Sequence, residues 1–323
     1  MNRSFGATAR RLAASPFKWV WIATVALYLV MLFATPNAAT GLALITMMPF
    51  AGMLAVATLG QAVVMMQRGF DFSLAGIVAM SSIVVARLTH EGTNPAAAIA
   101  VTLLVCVACG VVNGIVVSWL ALPPLVATLA SNGLFLGLGY LIANGVQVQV
   151  SDDLTHFATA KVGGLAVSAW IALAAVLLLL VLIRLTTFGR RFIAVGSNPQ
   201  AAHAAGLPVT MSLVSAYAIA GLCFGIAGVL ISGFVGMGSL AASGSYLMGS
   251  LSALMVAGGA VGGVRASLVA AVVGALFMTL LTQFVLALGA SAAVQNLIQG
   301  LVLISAVALP DLRLPQFRRA ATG

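Results

Sequence analysis

Seven neutral amides stand inside apolar stretches of this 323-residue chain: Gln61, Asn113, Asn132, Gln283, Gln295, Asn296 and Gln299. An amide carries both donors and an acceptor, so such groups can hydrogen-bond a hydroxyl-rich solute without burying charge. They can equally bond helix to helix, which is their ordinary work inside a membrane. Asp71 opens an apolar stretch and has two readings, a transport-specific group or a helix N-terminal cap that pairs with Arg68. Other chemistry is missing. The sequence has no nucleophile with a matching base, no metal-ligand spacing and no G-x-x-x-x-G-K-[ST] phosphate loop. Cys106 and Cys109 form a C-x-x-C, but the apolar run around them denies the access that redox or metal chemistry needs, so they read as small core residues. Ion-coupled carriers place charged side chains at depth, whereas every carboxylate here falls in a loop or at the end of an apolar run. The chain is therefore a poor enzyme and a poor self-powered pump, and no cofactor or metal is expected on it.

A different kind of signal lies in residues 186–208, TTFGRRFIAVGSNPQAAHAAGLP. Asn198 can cap a first helical turn, Pro199 suits the first helical position, Gly206 can take the left-handed stop and Pro208 forbids continuation. A helix of two turns is unstable alone in water. A capped pair of turns between membrane spans therefore reads as a docking surface for another protein.

The elements that must position these residues are membrane helices. Hydrophobic residues make up 62% of the chain and charged residues 6%, whereas a soluble domain carries about a quarter charged. Apolar runs near the ~20 residues needed to cross a bilayer recur along the whole length. They are expected at about 18–35, 42–66, 73–89, 97–121, 124–143, 164–185, 211–235, 245–262, 267–288 and 293–309. An all-α polytopic membrane protein is expected, with a cytoplasmic segment 1–17, one transmembrane domain 18–309 containing a cytoplasmic loop 186–210, and a cytoplasmic tail 310–323. With the N-terminus inside, twelve of the fourteen basic residues fall on the cytoplasmic side, and only Arg87 and Lys161 fall outside. Adding or removing one span would put Arg190 and Arg191 on the wrong side. The net charge of +9 is thus a topology signal and no nucleic-acid partner is needed to explain it. Arg3, Arg10, Arg11 and Lys18 before the run 19–34 have the look of a secretory leader, but a first span followed by nine more reads as a retained anchor.

Thirty-four glycines suit close helix packing. The pairs Gly110/Gly114, Gly133/Gly137, Gly221/Gly225, Gly258/Gly262 and Gly259/Gly263 share a four-residue spacing that clears one helix face. Two places read as interrupted helices, Arg68-Gly69-Phe70-Asp71 and the Gly/Ser-rich 236–249, and interruptions of this kind point to a translocation path.

These residues carry a resemblance. From about residue 40 to 309 the chain is similar to the permease subunit of bacterial ABC importers for simple sugars, the ribose/xylose/galactose type. The family's Gly followed by an Asp-hydrophobic-Ser-hydrophobic run resembles Gly69-Phe70-Asp71-Phe72-Ser73-Leu74, and its Asn-Gly and Pro-rich connection resembles Asn113-Gly114 and LPPLVATL at 122–129. The cytoplasmic loop is the most specific match: Thr187, Phe188-Gly189-Arg190, Ala194-Val195-Gly196-Ser197-Asn198, Ala201-Ala202 and Gly206. The resemblance implies that Gly189, Arg190, Gly196, Asn198, Pro199, Ala201, Ala202 and Gly206 belong to a coupling element that inserts into an ABC ATPase subunit, which holds ATP-Mg. It further implies a periplasmic solute-binding protein and a homodimer or heterodimer with a second permease in the inner membrane. Gln61, Phe70, Asp71, Asn113, Asn132 and Asn296 are the expected path residues; a secondary transporter or facilitator is the alternative. The sequence departs from the family at Arg68, where a small residue is usual, and in the short Ala260-Val261 link between its last glycine pairs.

Overall fold

A computed structural model describes residues 17–238, 243–258 and 266–311. Thirteen helices are present among them: α1 (Lys18–Ala34), α2 (Gly41–Met66), α3 (Leu74–His90), α4 (Pro95–Trp119), α5 (Pro124–Ala143), α6 (Asp152–Thr159), α7 (Val167–Leu185), α8 (Thr187–Ser197), α9 (Pro199–Ala204), α10 (Val209–Val235), α11 (Ser243–Val256), α12 (Leu268–Ala287) and α13 (Ala292–Asp311). Arg265, Gly259, Gly262, Gly263 and the Ala260-Val261 link lie outside the described residues, as do residues 1–16 and most of the tail.

Six helices (α2, α4, α5, α7, α10 and α12) are long and apolar enough to cross a bilayer, and α1, α3 and the apolar part of α13 are slightly shorter. The expected span 245–262 is α11, whose 14 residues rise about 21 Å, short of the ~30 Å hydrocarbon core. Polar side chains start several helices. Thr40 accepts from the Ala43 N–H ahead of α2, Asn94 from Ala96 ahead of α4, and Ser267 from Ala270 ahead of α12.

The core runs between α2, α3, α10 and α12, with α2 and α10 the most enclosed of the long helices. Around them α1, α4, α5 and α7 turn large apolar side chains outward, among them Phe33, Leu104, Leu134 and Leu178. Outward apolar surface of this extent is what a helix shows to lipid. Gly110 and Gly114 of α4 press on α10, where an added Cβ would overlap the Tyr217 carbonyl or the Val214 backbone. Gly133 and Gly137 do not act this way: nothing lies within 4 Å of a Cβ built at either, so the packing expected of that pair is absent from the described fold. The close approach between α3 and α5 uses Gly76 of α3 instead, against Asn132 and Phe135.

Between α5 and α7 the chain is more structured than a plain connection. Strand β1 (Val148–Gln149) pairs antiparallel with β4 (Met237–Gly238), which follows α10 directly. Strands β2 (Lys161–Val162) and β3 (Leu165–Ala166) form a hairpin turned by Gly163 and Gly164, both at positive φ, as a tight two-residue turn requires. Helix α6 lies against the end of α10, where Gly233 meets Leu154 and Ala158.

Candidate functional site

Helix α2 stops at Met66 and α3 does not begin until Leu74; the N–H groups of Gln67, Arg68 and Gly69 close back on the last turn of α2, and the chain then runs outside any helix to Ser73. Buried irregular backbone must find other partners. Side chains from four helices supply them. The Gln61 amide closes on the Asp71 backbone from both sides, donating through Nε2 to the carbonyl at 2.6 Å and accepting from the N–H at 3.4 Å. Thr128 Oγ1 of α5 accepts from Phe72 N at 3.0 Å, and Tyr217 of α10 donates to the Phe70 carbonyl at 3.5 Å. Asn113 of α4 donates through Nδ2 to Ser73 Oγ at 2.7 Å, and Ser73 Oγ donates onward to Asp71 Oδ1. Asn132 Oδ1 accepts from Gly76 N in the first turn of α3 at 2.7 Å.

Gln61, Phe70, Asp71, Asn113 and Asn132 are thus brought together around one interruption, and Gln61, Asp71 and Asn113 are fully buried. Asn296 is not among them. It faces outward on α13, while its neighbour Gln295 bonds to Thr282. Asp71 does not pair with Arg68. Its Oδ1 accepts from the Ser73 N–H and hydroxyl, a local turn within the interruption, while Arg68 points to α8. Among the described residues, three buried side-chain oxygens accept no hydrogen bond: Asp71 Oδ2, Asn113 Oδ1 and Gln299 Oε1. Two of the three belong to this cluster, which therefore offers unused acceptors to a hydroxyl donor. A cavity of about 150 Å³ lies elsewhere, bordered by Met66, Ile183, Arg184 and Leu268.

The second group lies at the far end of α7. Thr186 caps α8, its Oγ1 accepting from Gly189 N at 3.1 Å. Gly189 lets α8 fold back on α7, since an added Cβ there would overlap the Ile183 carbonyl. The inner face of α8 is Gly189, Phe192, Val195 and Gly196, while Arg190 and Arg191 are exposed. Helix α9 then forms as its capping residues dictate. Asn198 Oδ1 accepts from Ala201 N at 3.0 Å, and Pro199 takes the first position. Gly206, at φ 75°, donates to the His203 carbonyl while Leu207 donates to Ala202, a double bond closure that needs a left-handed residue. Ala202 is turned toward its own chain and buried, whereas Gln200, Ala201, His203 and Ala204 face outward. The surface left open for a partner is therefore the Ala201 side of α9 and not the Ala202 side.

Sequence reasoning missed the ties between these two groups, which run from Gln67 and Arg68 to α8. It also missed Ser73, Thr128 and Tyr217 as partners of the interruption. Only the Ser in the run Asp71-Phe72-Ser73 gave a local signal.

Residues 43–307 match the family described as branched-chain amino acid transport system, permease component. The chain is 28% identical over 255 residues to the autoinducer 2 import system permease protein LsrC of Yersinia pseudotuberculosis serotype O:1b (strain IP 31758), covering 79% of this chain and 73% of that one. It is 27% identical over 265 residues to the protein of the same name from Photorhabdus luminescens, covering 82% and 80%. The ribose import permease protein RbsC of Bacillus subtilis (strain 168) is 29% identical over 253 residues, covering 77% and 79%. No solved structure matches. With a match over most of its length and a bundle of apolar helices around a buried polar interruption, the chain belongs to this permease family and is a multi-pass transport protein of the bacterial inner membrane.

Proposed function

We propose that this chain is the membrane-spanning subunit of an ATP-driven importer for a monosaccharide-like solute, which a periplasmic binding protein delivers. Helices α8 and α9 form the element that docks on a separate ATPase subunit, where ATP-Mg binds. The capped α9 carries this reading: a six-residue helix needs packing to persist, and its outward residues are free to receive a partner. Both termini, like Ser197, lie on the cytoplasmic side with Arg190 and Arg191, and Thr93 and Thr155 lie outside.

The path passes the interruption between α2 and α3. There Gln61, Phe70, Asp71, Asn113 and Asn132 surround it, and the unused oxygens of Asp71 and Asn113 accept solute hydroxyls. The Asn113 amide suits an uncharged polyol because it accepts a hydroxyl without a charge of its own to desolvate. Asn296 enters from the exposed face of α13. An amide on lipid would leave its groups unpaired, which supports a second permease, identical or related, packed against that face. The ribose and autoinducer 2 permeases among the relatives support a small hydroxylated solute.

Copurification with the ATPase and uptake in vesicles test the reading. Ala201→Glu, an exposed substitution on α9, should release the ATPase and abolish uptake together. Retention of both would show that α9 is not the docking element, and uptake that needs no ATP would replace the importer with a facilitator.

A further inference from the structure

Arg68 holds a backbone conformation, φ 64°, that side-chain-bearing residues rarely adopt. Backbone strain of this kind persists where the surrounding contacts over-determine it. Here the guanidinium reaches the last carbonyls of α8. Its Nε donates to the Gly196 carbonyl at 2.8 Å, and its Nη2 donates to the Ser197 carbonyl. Terminal carbonyls of a helix lack partners in the helix itself and lie at its negative end, so a fork of cationic donors suits them. Gln67 adds a buried bond from Nε2 to the Phe192 carbonyl at 2.8 Å. Gly196 brings the backbones into contact, since a Cβ there would overlap the Met66 carbonyl. Four separate contacts thus fasten the α8 end to residues 66–68. The other side of the same segment is fastened to Gln61, Asn113 and Thr128 through residues 71–73.

We propose that Arg68 is a positioning residue for energy coupling: by clasping the corner between α8 and α9 to the interrupted segment 67–73, it makes the two one rigid piece, so that a movement of the docking helix arrives at the Asp71 cluster. This rests on the reading of α9 as the ATPase-docking helix. The side chain touches neither solute nor nucleotide. Its work is to remove slack between two elements 128 residues apart in sequence.

The test uses the full complex of permease, ATPase and binding protein, with Cys106, Cys109 and Cys223 replaced. Arg68→Ala should still copurify with the ATPase and hydrolyse ATP, while solute taken up per ATP falls about tenfold, within the range that coupling between sites spans. Arg68→Lys should recover only part of this, because one ammonium cannot span two carbonyls. The doubly substituted Arg68→Cys/Ser197→Cys permease should be uncoupled as prepared and regain uptake per ATP when a short bismaleimide joins the two positions. Normal coupling in Arg68→Ala, or a cross-link that blocks uptake instead of restoring it, overturns the clasp. The docking reading fails separately, if Ala201→Glu keeps the ATPase bound. A variant that gives no folded complex leaves the cross-linked permease to decide.

Discussion

Helix α4 and helix α5 carry glycines at the same four-residue spacing, yet only α4 uses them to meet a neighbour within the chain. Gly110 and Gly114 lie against the α10 backbone, and α10 answers with Gly221 and Gly225, pressed on the Cys106 carbonyl and side chain. The result is the most extensive helix pair among the described residues. Gly133 and Gly137 of α5 look out on open space, and α5 is held to α3 by Asn132 and the notch at Gly76, and to Phe72 just ahead of α3 by Thr128. A glycine spacing records that a helix face is clear; whether another backbone enters it depends on small residues facing it from the other side. One seam is thus a contact of backbones and the other a set of polar pegs.

That contrast can be broken at three points. Replacing Gly221 by Val forces a side chain into the Cys106 carbonyl and should cost about 3 kcal/mol, read as lost yield and a lower melting temperature in detergent. A stable variant would mean that the seam is not backbone against backbone. Asn132→Leu leaves the Gly76 N–H without its partner and should cost about 1–2 kcal/mol by the same measurement, with no loss of insertion. An unchanged melting temperature would show that α5 is held by apolar packing alone. Gly137→Ala should raise stability by about 0.5–1 kcal/mol, since it adds only helix preference on an open face. A fall instead would sharpen the picture by revealing that another permease covers this face in the assembled protein.

What could be read in the sequence was what local chemistry decides. The run 124–143 became Pro124–Ala143, and Asn198, Pro199, Gly206 and Pro208 marked α9 correctly because capping involves residues one to three apart. The span expected at 245–262 overlaps α11, which ends at Val256 with Ala257 and Gly258 in a turn, and the rest of that span lies outside the described residues. Asp71 illustrates the other limit. Arg68 stands three residues away and was the natural partner, but the interruption turns the two apart, and Arg68 finds carbonyls that no local pattern announces. The amides around the interruption were visible as polar residues in apolar runs, yet a residue type carries no information on which helix it faces. Gln61, Asn113 and Asn132 converge, and Asn296 does not.

Helix α10 starts at Val209, just past the turn at Gly206, and ends at Val235, just before β4 joins β1. Its 27 residues rise about 40 Å in one unbroken piece, exceeding the hydrocarbon thickness. A rod of that length has leverage. Tilting it by about 10° about one tip swings the other by about 7 Å, while the rise per residue stays fixed. The strand pair and α6 ride on one tip and the α9 turn on the other, so this helix gives the two ends of the bundle a common lever arm.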